Sequence, residues 1–452
     1  MPAPSSPGLA WLDSRILLGM KAGLENIREL CARLGNPQDS FRSVHVVGSN
    51  GKGSVASMSA LAFSRAGLRT GLFTSPHLVS VRERFRIDGE PVSAEELDSV
   101  LLRVRDASAR APEIQTTFFE AATAAALLWF KEGGVEVAVL EAGLGGRLDS
   151  TNVADSPLAA LTSISLEHTD LLGNTEEEIL AEKLGVMRRG GLCVHALPPR
   201  LLPAAAALAR RDGYSLLGLG DRAWRAEPDG VLLCSLGGAD VRLGDFPGSP
   251  LPMQRNRVLA ALLVEAFCLR NSEDPRLKPL LDDPARLAEL LCGAFREHVW
   301  PARLQFLEIE GWPRTLVDGA HNPESVSCLA ERVRSAFGEN SATVVMGVVR
   351  DKNLGPMLDA LLPFAKRFLF VRTPYPRFRD PEELDAELRG RAPSELFGTD
   401  VRAALERARA VGDPVVVCGS LYLMGAAIAE LAPVCEDLAW FRRFSPDANE
   451  TR

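Results

Sequence analysis

The chain has 452 residues, of which 46% are hydrophobic and 24% charged, with a net charge of −8. That length exceeds a single hydrophobic core and calls for two or three domains, while the acidic balance argues against a protein whose main task is gripping nucleic acid. The eight cysteines are scattered without a CxxC pair, which reads as reduced, mostly buried thiols in the cytoplasm rather than a secreted scaffold or a zinc site.

The first residues, MPAPSSPGLAWLDSR, have neither a basic start nor an apolar run, and read as a flexible leader rather than a signal peptide. Trp11 to Leu34 alternates apolar and charged residues at helical spacing and stops at Gly35-Asn36-Pro37, so one leading amphipathic helix is expected. Val44 to Ser54, VHVVGSNGKGS, then combines a β-branched strand with a glycine turn that opens a helix through Ser57 to Arg65. Backbone N–H groups at such a turn attract an anion; Lys52 adds charge and Ser54 offers a hydroxyl to Mg²⁺. The strict phosphate-loop pattern has a glycine where Val46 stands, and a plain Gly/Ser turn with a solvated lysine competes with the phosphate reading.

Leu68 to Thr74 reads as a second strand. Thr74 to Gly89 is mixed in sign and has two readings, an exposed loop with an edge strand or a substrate loop. Ser93 to Arg110 is an amphipathic helix with Ser93 and Glu96 as a capping box, and Phe118 to Glu132 is a helix closed by Gly133-Gly134. Val135 to Leu140 and Leu158 to Ser165 are strands that exit at Glu141 and at Glu167-His168. In an open parallel sheet, ligands bind outside the carboxyl ends of the strands, which brings the glycine turn, Glu141 and His168 to one edge.

A helix capped by Thr175 and Glu178 follows and carries Lys183, for which a solvated ion-pair role is the ordinary expectation. Leu192 to Ala196 reads as a strand, Pro203 to Arg211 as a helix and Val231 to Leu243 as a hairpin. Pro252 to Leu269 is a helix opened by polar Gln254, Arg255, Asn256 and Arg257, and Arg286 to Phe295 another. After Trp300-Pro301-Ala302-Arg303 the texture changes. Strands at Thr315–Val317, Ala342–Val348, Arg367–Thr373 and Pro414–Cys418 alternate with helices, and DGAHNP sets Asp318 and His321 at a strand exit. We expect an α/β chain of two domains. Residues 1–300 form a P-loop-type ATPase domain on a mostly parallel sheet, and residues 301–452 a Rossmann-like α/β domain. Phe118 to Phe130 and Val415 to Leu431, the most apolar stretches, are broken by Glu120 or by Gly419, Gly425 and Glu430, so no membrane partner is expected.

GSNGKGS, TSPHL at 74–78, EAGLGGRLDSTN at 141–152, EHTDLLG at 167–173, EKLG at 182–185, WPARLQ at 300–305 and DGAHNP at 318–323 occur in this order. The series resembles the folylpolyglutamate synthase/dihydrofolate synthase family of the Mur ligase superfamily, from about Trp11 to Met424. The resemblance implies an ATP- and Mg²⁺-dependent amide ligase. A folate or dihydropteroate carboxylate takes the γ-phosphoryl group, the amine of L-glutamate attacks the acyl phosphate, and phosphate leaves. It also implies residue roles. Lys52 with Asn50, Gly51, Gly53 and Ser54 would hold the phosphates; Asn256, Arg303, Asp318 and His321 would contact ATP. Ser54 and Glu141 would ligate one Mg²⁺ and His168 a second, near a carbamylated Lys183. Lys52, His168 and Lys183 would be the catalytic groups, and Ser75, Pro76, His77 and Phe119 would flank the pterin. The missing glycine at Val46 reads as a family trait. The chain departs from the family at Glu167, where Asp is usual, at Ala302, where Gly is usual, and at Asn353, where Asp is usual. The expected acting unit is a monomer. A Mur-type ligase working on a peptidoglycan precursor and a nucleotide-binding module without ligation are the competing functions.

Overall fold

The computed structural model describes residues 6–19, 21 and 23–435. Seventeen strands among the described residues form three sheets. The first comprises β1 (Arg42–Val47), β2 (Thr70–Phe73), β3 (Phe85–Ile87), β4 (Glu90–Pro91), β5 (Val137–Glu141), β6 (Leu158–Leu161), β7 (Leu192–His195) and β8 (Ser215–Gly218), in the order β4-β3-β2-β5-β1-β6-β7-β8. All its pairings are parallel except the hairpin edge β2-β3-β4. β1 and β5 are central and buried on both faces, which is why RSVHVV and VAVLE read as near-continuous apolar runs. Val46 lies opposite Glu141 on one side and Ala160 on the other, so β1, β5 and β6 run out at the same edge.

A small antiparallel sheet follows, made of β9 (Trp224–Ala226), β10 (Val231–Leu236) and β11 (Ala239–Asp245). The hairpin expected at Val231 to Leu243 is its β10-β11 pair, with β9 as an extra strand. The third sheet holds β12 (Gln305–Leu307), β13 (Thr315–Val317), β14 (Ala342–Met346), β15 (Ala365–Phe370), β16 (Ser394–Leu396) and β17 (Val415–Cys418), ordered β12-β13-β17-β14-β15-β16. Only β12 runs antiparallel, so β13, β14 and β17 also share an exit edge. Helices cover both large sheets, giving a two-domain α/β protein. Among the described residues no helix is long and apolar enough to cross a membrane.

Two local expectations are corrected. The single leading helix is broken into Pro7–Ser14, a 3₁₀ turn at Arg15–Leu18 and Glu25–Arg33, because Gly19 (φ 65°) and Gly23 (φ 132°) leave helical backbone. Residues 1–5 of the expected leader lie outside the described residues. The rest of it is ordered: Pro7–Ser14 buries Leu12, and the Gly8 N–H donates to Asp98 at 2.6 Å. Thr74 to Gly89 is the second correction. It supplies the edge hairpin but is no exposed loop, since Glu83 and Arg84 are buried.

Candidate active site

The glycine turn between β1 and the Lys52–Arg65 helix is shaped by what packs against it. Gly51 has φ 85°, and a Cβ there would lie 2.8 Å from the Asn256 amide; at Gly53 it would lie 2.9 Å from the Trp300 indole nitrogen. Backbone therefore approaches two side chains more closely than any other residue allows. Ser54, the third residue of this helix, is almost wholly buried.

Two lysines converge on one carbonyl. Lys52 Nζ donates to the oxygens of Gly48 (2.9 Å) and Ser49 (3.1 Å), and Lys183 Nζ donates to the same Gly48 oxygen (2.9 Å) and to Glu167 Oε1 (3.1 Å). Lys183 is only 1% exposed, which corrects the solvated reading. The capped Glu176–Leu184 helix buries Ile179, Leu180, Lys183 and Leu184, positions i, i+1, i+4 and i+5, so the lysine sits on the apolar face. Burial, and then the Lys52 charge, bring its amine down to about 8 against the pull of Glu167. Burial alone would raise the Glu167 carboxyl, but Lys52 and Lys183 bring it down to about 2.

Glu141 ends β5 as a buried carboxylate that accepts the Ser75 N–H at 2.9 Å. Burial pushes its carboxyl upward against the attraction of Lys52, Arg303 and Arg84. It lines a cleft with Gly53, Ser75, Trp300, Arg303 and Leu421, walls drawn from both domains. The Ser75-Pro76 peptide is cis. The Glu83 carboxylate accepts the N–H groups of Leu78, Val79 and Ser80 at 2.9, 2.8 and 2.6 Å and so fixes the loop beyond it. His77 Nδ1 accepts from Arg84 Nε at 2.9 Å, and the Arg84 guanidinium lies 5.1 Å from the centre of the Phe118 ring. Phe119 packs on Gly143, where a Cβ would come within 2.6 Å of its ring.

Across the cleft, Asp318 at the β13 exit accepts the N–H groups of Leu304 (2.6 Å) and Ala320 (2.7 Å). Burial raises its carboxyl while Arg303 pulls it down. His321 Nδ1 lies 2.7 Å from the Gly319 oxygen, an acceptor only, so Nδ1 carries the proton and Nε2 the lone pair. Burial lowers this ring to about 4. Asn50 spans the two domains: its Nδ2 donates to Glu324 Oε2 at 2.7 Å and its Oδ1 accepts from Asn322 Nδ2 at 3.0 Å. His168 opens the short Thr169–Leu172 helix at φ 48°, beside Glu167.

The geometry thus gathers Lys52, Lys183 and Glu167 at the turn, Glu141 with the Ser75 backbone beside it, and Arg303 with Asp318 opposite. Among the described residues no three His, Cys, Asp or Glu side chains are grouped to hold a metal ion. Sequence reasoning missed Arg84, hidden in an alternation of charges that resembles a surface strand, and Glu324, which carries no signal outside its contact with Asn50.

Comparison with known proteins follows the same division. Residues 46–192 match the Mur ligase middle domain and residues 302–421 the Mur ligase glutamate ligase domain. The dihydrofolate synthase/folylpolyglutamate synthase of Bacillus subtilis is 32% identical over 426 residues, 92% of this chain and 96% of the relative. A probable bifunctional folylpolyglutamate synthase/dihydropteroate synthase of Haloferax volcanii is 34% identical over 90% of this chain, which spans about half (48%) of that longer relative. Among solved structures, a bifunctional folylpolyglutamate synthase/dihydrofolate synthase of Yersinia pestis complexed with AMPPNP and Mn ion aligns with a TM-score of 0.80 and 30% identity. That alignment covers 96% of this chain and 100% of the other.

Proposed function

Because the chain belongs to the folylpolyglutamate synthase/dihydrofolate synthase family of Mur ligases, ATP-dependent enzymes that add glutamate to folates, we propose that it acts on both dihydropteroate and reduced folates. The observation that carries this reading is the two-sided cleft, where Gly53 and Glu141 of the first domain, the latter under the attraction of Lys52, face Arg303 of the second. A carboxylate becomes an electrophile once its oxygen is phosphorylated, and phosphoryl transfer needs chiefly positioning and charge neutralisation. Lys52 and the amides of Asn50, Gly51, Gly53 and Ser54 hold the phosphates; Asn256, Arg303, Asp318 and His321 complete the nucleotide side. Ser75, Pro76, His77 and Phe119 form the folate side. We place the domain boundary at residue 300, and because the cleft is complete within one chain, a monomer is the acting unit.

The donors fit Mg²⁺. Ser54 and Glu141 offer hard oxygens, Glu141 has one protein hydrogen bond, and Mg²⁺ takes few protein ligands beside phosphate and water, so a dense carboxylate cluster is not needed. When bound, the ion neutralises charge on the transferring phosphoryl group. His168 would serve a second ion, for which an imidazole suits a softer divalent metal better than Mg²⁺. Lys183 is the candidate for carbamylation, in which its neutral amine bonds to the carbon of CO₂ and releases a proton. Two ammonium groups on one carbonyl repel each other; making Lys183 an anion turns that repulsion into attraction.

The test is ADP release with L-glutamate and either dihydropteroate or tetrahydrofolate, side by side. Turnover with both is expected, and its loss in a folded Lys52→Ala variant. Turnover with one substrate alone restricts the proposal to that reaction, and turnover only with a UDP-linked muramic substrate overturns it.

A further inference from the structure

Arg84 is buried, yet among the described residues its guanidinium hydrogen-bonds to no carboxylate; Nε donates instead to a histidine ring nitrogen, His77 Nδ1, at 2.9 Å. A guanidinium has only donors, so Nδ1 must hold a lone pair and the ring proton must sit on Nε2. An imidazolium would set two N–H groups against each other. The remaining contacts of Arg84 are fixed by its surroundings: the Phe118 face at 5.1 Å, with Glu141, Glu83 and the Tyr422 hydroxyl of the second domain as the charged and titratable neighbours. The Glu83 turn holds the backbone on both sides of this pair. Among the described residues nothing accepts from His77 Nε2.

We propose that Arg84 is a positioning residue that locks His77 as its Nε2–H tautomer, so that the Ser75 to His77 loop presents one fixed donor and selects a substrate with a hydrogen-bond acceptor there, such as a ring nitrogen or carbonyl oxygen. The selection step rests on the reading of Ser75 to His77 as the folate side; the tautomer does not. Burial, and then the Arg84 charge, hold the ring neutral, with its pKa brought down to about 3. A neutral ring with one proton is the state in which the lock has meaning.

The experiment labels the histidines of the full chain with ¹⁵N, assigns His77 by the signal missing in His77→Phe, and pairs the spectrum with KM values for tetrahydrofolate and ATP. The wild type should show His77 neutral and protonated on Nε2 at pH 7. Arg84→Met should give a mixture of tautomers, and His77→Phe, which removes the donor, should raise KM for tetrahydrofolate by about tenfold, the loss of one good hydrogen bond, with KM for ATP unchanged. Arg84→Lys, which keeps a cationic donor, should restore the single tautomer. An Nδ1-protonated ring or an imidazolium in the wild type overturns the proposal, and that measurement stands even where Arg84→Met fails to fold. An unchanged KM for tetrahydrofolate in His77→Phe overturns the folate-side reading and the selection step, leaving the tautomer to be decided by its spectrum.

Discussion

Ala302 holds φ 49° and is wholly buried, in a stretch where the family usually carries glycine. An L-residue in the left-handed region costs about 1–2 kcal/mol, whereas glycine adds roughly 0.5–1 kcal/mol of backbone entropy to the unfolded chain. Losing the methyl of Ala302 from the core costs about a further 0.8 kcal/mol, so the three terms nearly cancel and Ala302→Gly should leave the urea midpoint close to that of the wild type at unchanged slope; a shift worth more than about 1 kcal/mol would mean that one of them dominates. Lys183 poses the opposite problem, a charged group held in the interior. Lys183→Ala should abolish turnover, and added short carboxylic acids should restore part of it if a carbamate is what the site needs; full activity without them would remove the carbamate from the mechanism. The positions of Glu141 and Asp318 were legible in the sequence because each stands where a strand runs out, and that of Lys52 because it follows the glycine turn that opens a helix. The burial of Lys183 was not, since helical spacing gives a face but only tertiary packing says which face is inside.

The Thr74 to Gly89 segment is the element the sequence served least well, because its alternating charges mimic a solvent-facing strand while its true neighbours come from far along the chain. Leu78 and Val79 pack on the apolar core of the second domain, where the helix Leu421–Leu431 passes so close that a Cβ at Gly425 would overlap the Leu78 carbonyl. Alanine is worth about 1 kcal/mol over glycine inside a helix, but forced overpacking costs about 1–3 kcal/mol. Gly425→Ala should therefore destabilise the chain by about 1 kcal/mol and raise KM for the folate substrate more than KM for ATP; a more stable variant with wild-type constants would mean the contact yields freely. The starts of the capped helices, by contrast, were readable to within a residue, because Ser93/Glu96 and Thr175/Glu178 satisfy helix-end N–H groups with local partners alone.

At the level of the whole molecule, the two parallel sheets were legible from strand exits, but the joint between them was not. His298 lies just before that joint, packed on the first domain, where its Nε2 meets Ser57 Oγ at 2.7 Å, and burial brings the ring down to about 3 from an ordinary 6.5. Below pH 6.5 the unfolded chain protonates this ring and the folded chain does not, so the unfolded state holds the extra proton. The contribution to stability is full above 6.5 and lost as pH falls toward 3, by about 1.4 kcal/mol per pH unit. Glu141 and Asp318, whose carboxyls burial pushes up, slope the other way, so the comparison is with a variant. His298→Asn should lose less stability than the wild type between pH 6.5 and 4, by up to that slope; parallel curves would show the ring already protonated in the fold.

Trp300 lines the cleft between the domains, its indole nitrogen against Gly53 of the glycine turn, its ring plane 12° from that of His298 and the Arg86 guanidinium 5.2 Å from its centre. An indole so placed is an optical gauge built into the enzyme. Its emission depends on the charge and polarity around it, so a nucleotide settling on the turn should change the protein's intrinsic fluorescence, and a Trp300→Phe chain should lose most of that response. Binding would then be followed in real time on the unlabelled protein, separately from turnover.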